Sequence, residues 1–268
     1  MPTVLVTGAG AGIGRATALY FQQQGGNVVA GVRRPESATG FEGLDHCLCL
    51  PLDVNVQDTI DRAIAQTMDY FGGLDVLVNN AGFGTFGAFE YSTEEQILQQ
   101  FQTNVFGVMR MTRSVLPHFR AKRQGMIINI SSVGGRLAFP LYSLYHATKF
   151  AIEGFSESLQ YELAPFHIQV KLIEPGAMKT DFFQRSQVVL QHPTLHSYDD
   201  YQSKVWQKLQ AIEANAPSPD LVAKVIWQAA NDKTDRLRYS VGDQVPLLLF
   251  LNRLIPHSWL RSMIKSTF

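Results

Sequence analysis

Six short apolar runs, most of them rich in β-branched residues, punctuate the first two-thirds of this chain, and longer stretches with helical spacing separate them. The runs are TVLVT (3–7), VVAGV (28–32), HCLCLPLDV (46–54), LDVLVNN (74–80), MIINIS (126–131) and IQVKLI (168–173). A strand that is apolar at every position is buried on both faces, which requires helices on both sides of a parallel sheet. The intervening stretches meet that requirement. Ile13, Ala16, Thr17 and Tyr20 share one helical face, and Ile60, Ile64 and Met68 share another within 56–70. A long helix is expected over Thr93–Phe119, ending around Pro117, and another over Tyr142–Leu163. The pattern predicts an α/β doubly wound parallel sheet, joined by right-handed crossovers, as one domain over residues 1–268.

The last third is less regular. Residues 181–217 are polar and aromatic without a clean period and read as a substrate lid. Ser218 and Pro219 suit the N-cap and first position of a helix, and RYSVG (238–242) fits a seventh strand. The tail, 244–268, is amphipathic. Leu247, Leu251, Leu254 and Ile255 form one stripe, continued by Leu260 and Ile264, with Arg253, Arg261 and Lys265 adding positive charge. Packing on its own domain or on a partner subunit is the favoured role of this tail. Attachment in a membrane interface is the other reading.

Lys plus Arg and Asp plus Glu both number 23, a balance that points away from a nucleic-acid partner. The longest apolar run, VPLLLFL (245–251), is far short of the ~20 residues of a spanning helix. MPTVLVTG enters a strand at once and leaves no room for a targeting peptide, so the expected location is the cytoplasm. Cys47 and Cys49 have the wrong spacing for a redox or zinc pair and read as small structural groups. The histidines show no ligand spacing, and no catalytic metal is expected. His146, beside Tyr145, reads as a packing or surface-contact residue.

TGAGAGIG (7–14) follows the first run and opens a helix, the context in which a glycine motif marks a nucleotide site. Gly8 permits the tight turn, Gly12 lets backbone approach a pyrophosphate, and Gly14 lets helix pack on sheet. The helix N-terminus offers N–H groups to the phosphates. Folds that bind NAD usually carry an acid about 20 residues past the glycines, for the ribose 2′-hydroxyl. Here Val32 occupies that place and Arg33 and Arg34 follow it. Guanidinium suits a 2′-phosphate, so the expected coenzyme is NADP(H), with Arg33 the main contact and Arg34 a second. Asn80, Ala81 and Gly82 end the fourth run, and Asp53 with Val54 follows the third. All lie at the carboxyl edge of the sheet, where open α/β folds bind ligands. Asp53 also suits a helix N-cap. Ser131 and Ser132 end the fifth run at the same edge, and Tyr145 and Lys149 share a helical face at i and i+4.

Taken together, TGAGAGIG, NNAG, Asn104 in QTNVFG, Ser132 thirteen residues before Tyr145, YHATK and EPGAMKT resemble the short-chain dehydrogenase/reductase family, in its compact branch. Order and spacing match from residue 3 to about 182. The resemblance implies a Rossmann-type sheet of about seven parallel strands and a nicotinamide coenzyme. It implies that Tyr145 is the general acid for carbonyl reduction, that Lys149 binds the nicotinamide ribose and lowers the phenol's pKa, and that Ser132 hydrogen-bonds the substrate oxygen. Asn104 would anchor a water linking Lys149 to solvent. Thr7 to Gly14, including Ile13, would line the coenzyme cleft with Asp53 and Asn80 to Gly82. Pro175, Gly176, Met178 and Thr180 would hold the carboxamide. Lowering the phenol from ~10 to ~7 corresponds to about 4 kcal/mol of differential stabilisation.

The candidate substrate pocket is Phe83, Phe86, Leu137, Phe139, Tyr142, Met178, Phe182 and Phe183, about half of them expected to be core. This set favours a small hydrophobic carbonyl or secondary alcohol of steroid-, retinoid-, long-chain- or aryl-ketone-like character. The expected protein is therefore an NADPH-dependent carbonyl reductase. An NAD-dependent alcohol dehydrogenase and a non-enzymatic NADP(H) sensor are the alternatives. The resemblance also implies a homodimer or homotetramer, formed through the helices that carry Asn104 and Tyr145.

Overall fold

A computed structural model describes residues 1–180 and 186–267. In chain order it contains β1 (Thr3–Thr7), α1 (Gly12–Gln23), β2 (Asn27–Val32), β3 (Cys47–Pro51), α2 (Gln57–Phe71), β4 (Val76–Asn79) and β5 (Gly84–Phe86). Next come α3 (Glu94–Phe101), a π-helical turn (Gln102–Gly107), α4 (Val108–Lys122), β6 (Gly125–Ile130), α5 (Ser143–Leu163) and β7 (Ile168–Pro175). The remainder is β8 (Gln187–Val189), α6 (Asp199–Ala214), α7 (Asp220–Asn231), β9 (Arg238–Val241), α8 (Val245–Leu254) and α9 (His257–Thr267).

The main sheet has seven parallel strands in the order β3-β2-β1-β4-β6-β7-β9. Successive residues of a strand point to opposite faces, and the cores divide accordingly. Val4, Val6, Val28, Ala30, Val76 and Val78 meet α1 and α7 on one face. Leu5, Val29, Leu77 and Ile127 meet α2, α4 and α5 on the other. Trp227 of α7 stacks edge-on against Phe21 of α1, with centroids 4.9 Å apart, so the two helices share a layer. The chain winds outward through β1, β2 and β3, then restarts at β4 on the opposite side of β1. This reversal opens a crevice between the carboxyl ends of β1 and β4, the usual ligand position in such sheets.

Two expectations need correcting, and one irregular segment gains structure. The helix over Thr93–Phe119 is real but broken by the π turn, and it does not stop near Pro117. Pro117 lies inside α4, whose end is marked by Arg123 at φ 51. Val115 and Phe119, both fully buried, hold the helix through the hydrogen bond that proline forgoes. Residues 181–217 contain a strand and a helix among the described residues: β8 pairs with β5, and α6 covers that pair. Only Val205 and Leu209 of α6 are buried, which explains why no period was visible. Finally, the last helix of the sheet begins at Asp220, one residue later than expected, with Ser218 Oγ accepting from Asp220 N–H at 3.3 Å.

The tail forms α8 and α9. Val245, Leu249 and Leu260 bury themselves against Leu137. Of the stripe read from the sequence only Leu260 is buried, Leu251, Ile255 and Ile264 are half-buried, and Leu247 and Leu254 are exposed. Cys47 and Cys49 are free and pack on the core. Burial pushes the Cys47 thiol up to about 11.

Candidate active site

Four strand ends deliver the site residues to one edge of the sheet. After β1, Gly8 has φ +66, and a Cβ there would stand 2.9 Å from Ala81 Cα. At Gly14 a Cβ would lie 2.3 Å from Asn80 Nδ2 and 2.4 Å from the Gly8 carbonyl. The glycine turn is thus pressed onto the NNAG turn after β4. Hydrogen bonds lock the two together. Asn80 Nδ2 donates to the carbonyls of Thr7 (2.9 Å) and Gly8 (3.2 Å). Thr7 Oγ1 accepts from the N–H groups of Asn80 and Ala81, both at 3.0 Å. Thr7 and Asn80 therefore shape the crevice through its backbone.

The 175–180 segment closes the crevice from the other side, since a Cβ on Gly12 would be 3.5 Å from Thr180. Ile13 is half-buried, and Met178 is buried against the sheet core. Gly176 N–H donates to the Val241 carbonyl at 2.9 Å. Val32 packs beneath the glycine turn, 3.6 Å from where a Gly10 Cβ would sit, so β2 exits beside that turn with Arg33 and Arg34 exposed. Asp53 accepts from Asn55 N–H at 2.9 Å. It braces the turn into α2, whose N-cap is Val56. Val54 is core.

The catalytic candidates meet at the ends of β6 and α5. Ser132 hydrogen-bonds the Tyr145 hydroxyl, accepts from Gly134 N–H at 3.0 Å and donates to the Pro175 carbonyl at 3.4 Å. Ser131 is buried with its Oγ against Gly135, so strand alternation separates the two serines. One turn of α5 places Lys149 Nζ 5.6 Å from the Tyr145 ring centroid, where it donates to the Ile130 carbonyl at 2.8 Å. Burial brings the Lys149 ammonium down to about 8, with the Glu153 carboxylate opposing.

The sequence pointed to an acidified phenol, and here the protein alone does the opposite. Burial pushes Tyr145 up to about 12, and the Ser132 hydrogen bond counters only part of that. The Lys149 ammonium lies over the ring and is tied to Ile130. The fold by itself therefore favours the protonated phenol.

Asn104 sits in the π turn, a local widening often found at functional sites. Its Nδ2 donates to the Phe83 carbonyl (2.8 Å) and Thr148 Oγ1 (3.2 Å), and its Oδ1 accepts from Phe83 N–H (3.0 Å). Thr148 Oγ1 in turn donates to the Tyr145 carbonyl at 2.7 Å. The Asn104 amide thus ties the β4–β5 loop to the turn that carries Tyr145.

Two supports were not legible as such. His146 is buried, accepts from Phe139 N–H at 2.9 Å through Nε2, and hydrogen-bonds the Gly134 carbonyl at 2.8 Å through Nδ1. It pins the loop that follows Ser132, and burial holds it neutral, with its pKa lowered to about 4. Behind Lys149, Glu153 and Glu174 are both buried. Arg238 Nε reaches Glu153 at 2.9 Å, and Arg136 Nη1 reaches Glu174 at 3.1 Å. Glu153 is one helical turn from Lys149, which the sequence shows. Its partner Arg238 comes from a distant element, as do the arginines on Glu174, and those pairings the sequence does not show.

The candidate substrate residues separate into two groups. Phe86 and Tyr142 form an aromatic wall with Trp206 of α6, with Phe86–Trp206 centroids at 5.1 Å and Tyr142–Tyr145 at 6.0 Å. Trp206 was missed because α6 lacked a period. Phe83 is held through its backbone by Asn104. Leu137 and Phe139 pack instead against α8 and α9. Leu137 and Met178 are core. Phe86 and Tyr142 are buried too and form the back of the wall, whose half-exposed members are Tyr145 and Trp206. Phe182 and Phe183 lie outside the described residues.

A glycine turn at a topological switch point, beside a hydrogen-bonded serine and tyrosine with a lysine one turn on, defines an α/β oxidoreductase site. The family model for short chain dehydrogenases matches residues 2–188, and the chain belongs to that family. It is 36% identical over 260 residues to a 3-ketodihydrosphingosine reductase of Bacteroides thetaiotaomicron, covering 96% of this chain and 92% of that one. Its structure is similar to a short-chain dehydrogenase from Streptomyces avermitilis, with TM-score 0.85, 33% identity and coverage of 99% and 97%. ElxO, solved with NADP bound, gives TM-score 0.73, 27% identity and coverage of 89% and 97%. Another neighbour, 28% identical, is solved with NADH.

Proposed function

We propose that this chain is an NADPH-dependent reductase of apolar ketones and aldehydes. The observation that carries this reading is the Ser132–Tyr145 hydrogen bond, set between the glycine crevice and the wall of Phe86, Tyr142 and Trp206. The crevice fits a dinucleotide: its glycine turn leaves backbone where a Cβ would intrude, and Arg33 stands at the β2 exit for a 2′-phosphate. A bound reduced nicotinamide supplies the hydride. Thr7 to Gly14, Asn80 to Gly82 and Pro175 to Thr180 would hold it.

The chain's own residues then manage the oxygen. Ser132 and Tyr145 donate to the substrate carbonyl and stabilise its developing negative charge. Tyr145 transfers its proton as the alkoxide forms, and the Lys149 ammonium steadies the resulting phenolate. A phenol held protonated by burial suits this direction. Asn104 and the π turn are the proposed entry for the replacement proton through a water.

Among hydrophobic carbonyls, a long-chain ketone is favoured by the likeness to the 3-ketodihydrosphingosine reductase over nearly the whole chain. The test is coenzyme oxidation across long-chain, steroid, retinoid and aryl ketones, with NADPH and NADH in parallel. Turnover of apolar ketones with NADPH supports the reading. Equal turnover with NADH defeats the coenzyme assignment, and no turnover with any carbonyl defeats the reaction. For assembly, the exposed Phe106 and Phe150, in the π turn and α5, are the proposed contact of a homodimer or homotetramer. Light scattering of Phe150→Glu would show a lower mass than wild type.

A further inference from the structure

We propose that α8 and α9 form a docking surface for an anionic lipid bilayer. The two helices spend one face on their own domain, through Val245, Leu249 and Leu260. The other face stays apolar and open. Leu247, Phe250 and Leu254 of α8 are 61%, 58% and 64% exposed, and Trp259 and Met263 of α9 are 69% and 49% exposed. A groove of about 420 Å³ runs between the helices along Leu251, Ile255, Trp259 and Met263. Large apolar side chains exposed singly are ordinary, but a contiguous patch marks an interaction surface.

Charge identifies the occupant. From Gln244 to Phe268 the sequence holds Arg253, Arg261 and Lys265 and neither aspartate nor glutamate, in a chain whose charges balance as a whole at 23 of each sign. All three basic side chains are exposed. Lys208 of α6 adds a fourth nearby, its Nζ donating to the Thr267 carbonyl at 2.8 Å. A second copy of this face would bring like charges together. An anionic lipid surface would neutralise them while the leucines and Phe250 enter its apolar margin. Trp259 has the amphipathic ring that settles at the headgroup level. Among the described residues no helix is long and apolar enough to cross a membrane, so the contact lies in the plane of the surface.

The position suits the proposed substrate class, and to that extent this inference rests on the reading above. Leu137 and Phe139, in the loop that follows Ser132, pack on the inner side of the same helices. A docked enzyme would hold its catalytic loop one packing layer from the bilayer, where an apolar ketone is concentrated.

The test is flotation of the full chain with vesicles of phosphatidylcholine alone and of phosphatidylcholine with equimolar phosphatidylglycerol. It needs no turnover, so its failure is separate from failure of the proposed reaction. Wild type should float with the anionic vesicles and release at high salt, with Trp259 fluorescence shifting to the blue. Arg253→Gln, Arg261→Gln and Lys265→Gln combined should lower anionic-vesicle binding roughly 100-fold. Leu254→Ser with Trp259→Ser should abolish it while leaving short-ketone turnover unchanged. Flotation of these variants equal to wild type, or no flotation of wild type, overturns the proposal. So does a wild-type dimer that the Leu254→Ser, Trp259→Ser variant converts to monomer, because the face would then belong to a second copy.

Discussion

The proposed coenzyme side and the proposed substrate side of this site are built by different physics. On the coenzyme side, backbone meets backbone: the turn after β1 presses on the turn after β4, and Thr7 and Asn80 stitch them with hydrogen bonds of 2.9–3.2 Å. On the substrate side, rings meet rings: Phe86, Tyr142 and Trp206 arrive from β5, the start of α5 and α6 and fill space. Backbone contact tolerates few residue types, whereas ring packing tolerates many. The first side should be common to every substrate and the second should choose among them.

Tyr145 belongs to both sides, and its loss should have the largest effect. Tyr145→Phe keeps the ring and removes the proton. Turnover of every ketone should fall about 1,000-fold, within the 10²–10⁴ range of general acid catalysis, with the NADPH dissociation constant unchanged. Steady-state kinetics beside coenzyme titration would show this. Loss limited to some ketones would break the comparison, because the shared element would then be acting as a selective one.

The loop between the two sides gives the next effect, through pH. His146 is neutral when folded, with its pKa lowered to about 4 from an ordinary 6.5. Above pH 6.5 both folded and unfolded chains hold it neutral and its contribution is complete. As pH falls from 6.5 to 4 the unfolded chain takes up the proton first, so stability drops by up to about 3 kcal/mol. Denaturant titration at pH 7 and pH 5 should show the loss, and His146→Gln should flatten it. At the alkaline end Lys149, lowered to about 8, should make the rate of ketone reduction decline above that pH.

How much of this was legible follows the same division. The seven-strand sheet, the glycine turn and the trio of Ser132, Tyr145 and Lys149 were readable because each is set by local spacing: period two in strands, i to i+4 in a helix, a glycine where a side chain would collide. Arg136 and Arg238 were invisible as partners of Glu174 and Glu153 because those contacts join elements far apart in sequence. Trp206 was invisible because α6 buries only two residues. The state of the phenol without coenzyme was not legible for a related reason. Sequence places Lys149 near Tyr145, but it does not show that the ammonium is tied to Ile130 or that burial opposes it.

At the coenzyme end, Arg33→Ser should weaken NADPH binding about tenfold and leave NADH binding unchanged, as loss of a charge-assisted contact predicts. Isothermal titration with both coenzymes is sufficient. Equal weakening of both would mean that Arg33 supports the turn and does not read the 2′-phosphate.

Trp206→Ala should give the smallest effect and the most informative one for the comparison. Its ring packs against Phe86 at 5.1 Å, and such an aromatic pair contributes about 1 kcal/mol beyond its buried area. With α6 held by Val205 and Leu209, the helix should persist and the wall should lose one face. For bulky apolar ketones kcat/KM should fall about fivefold, since ~1.4 kcal/mol corresponds to a factor of ten. Small ketones that never reach the wall should be reduced at the wild-type rate, and NADPH affinity should not move. A change in NADPH affinity would show that the two sides are mechanically one, and that packing on α6 is felt through Tyr142 and Tyr145 in the crevice itself.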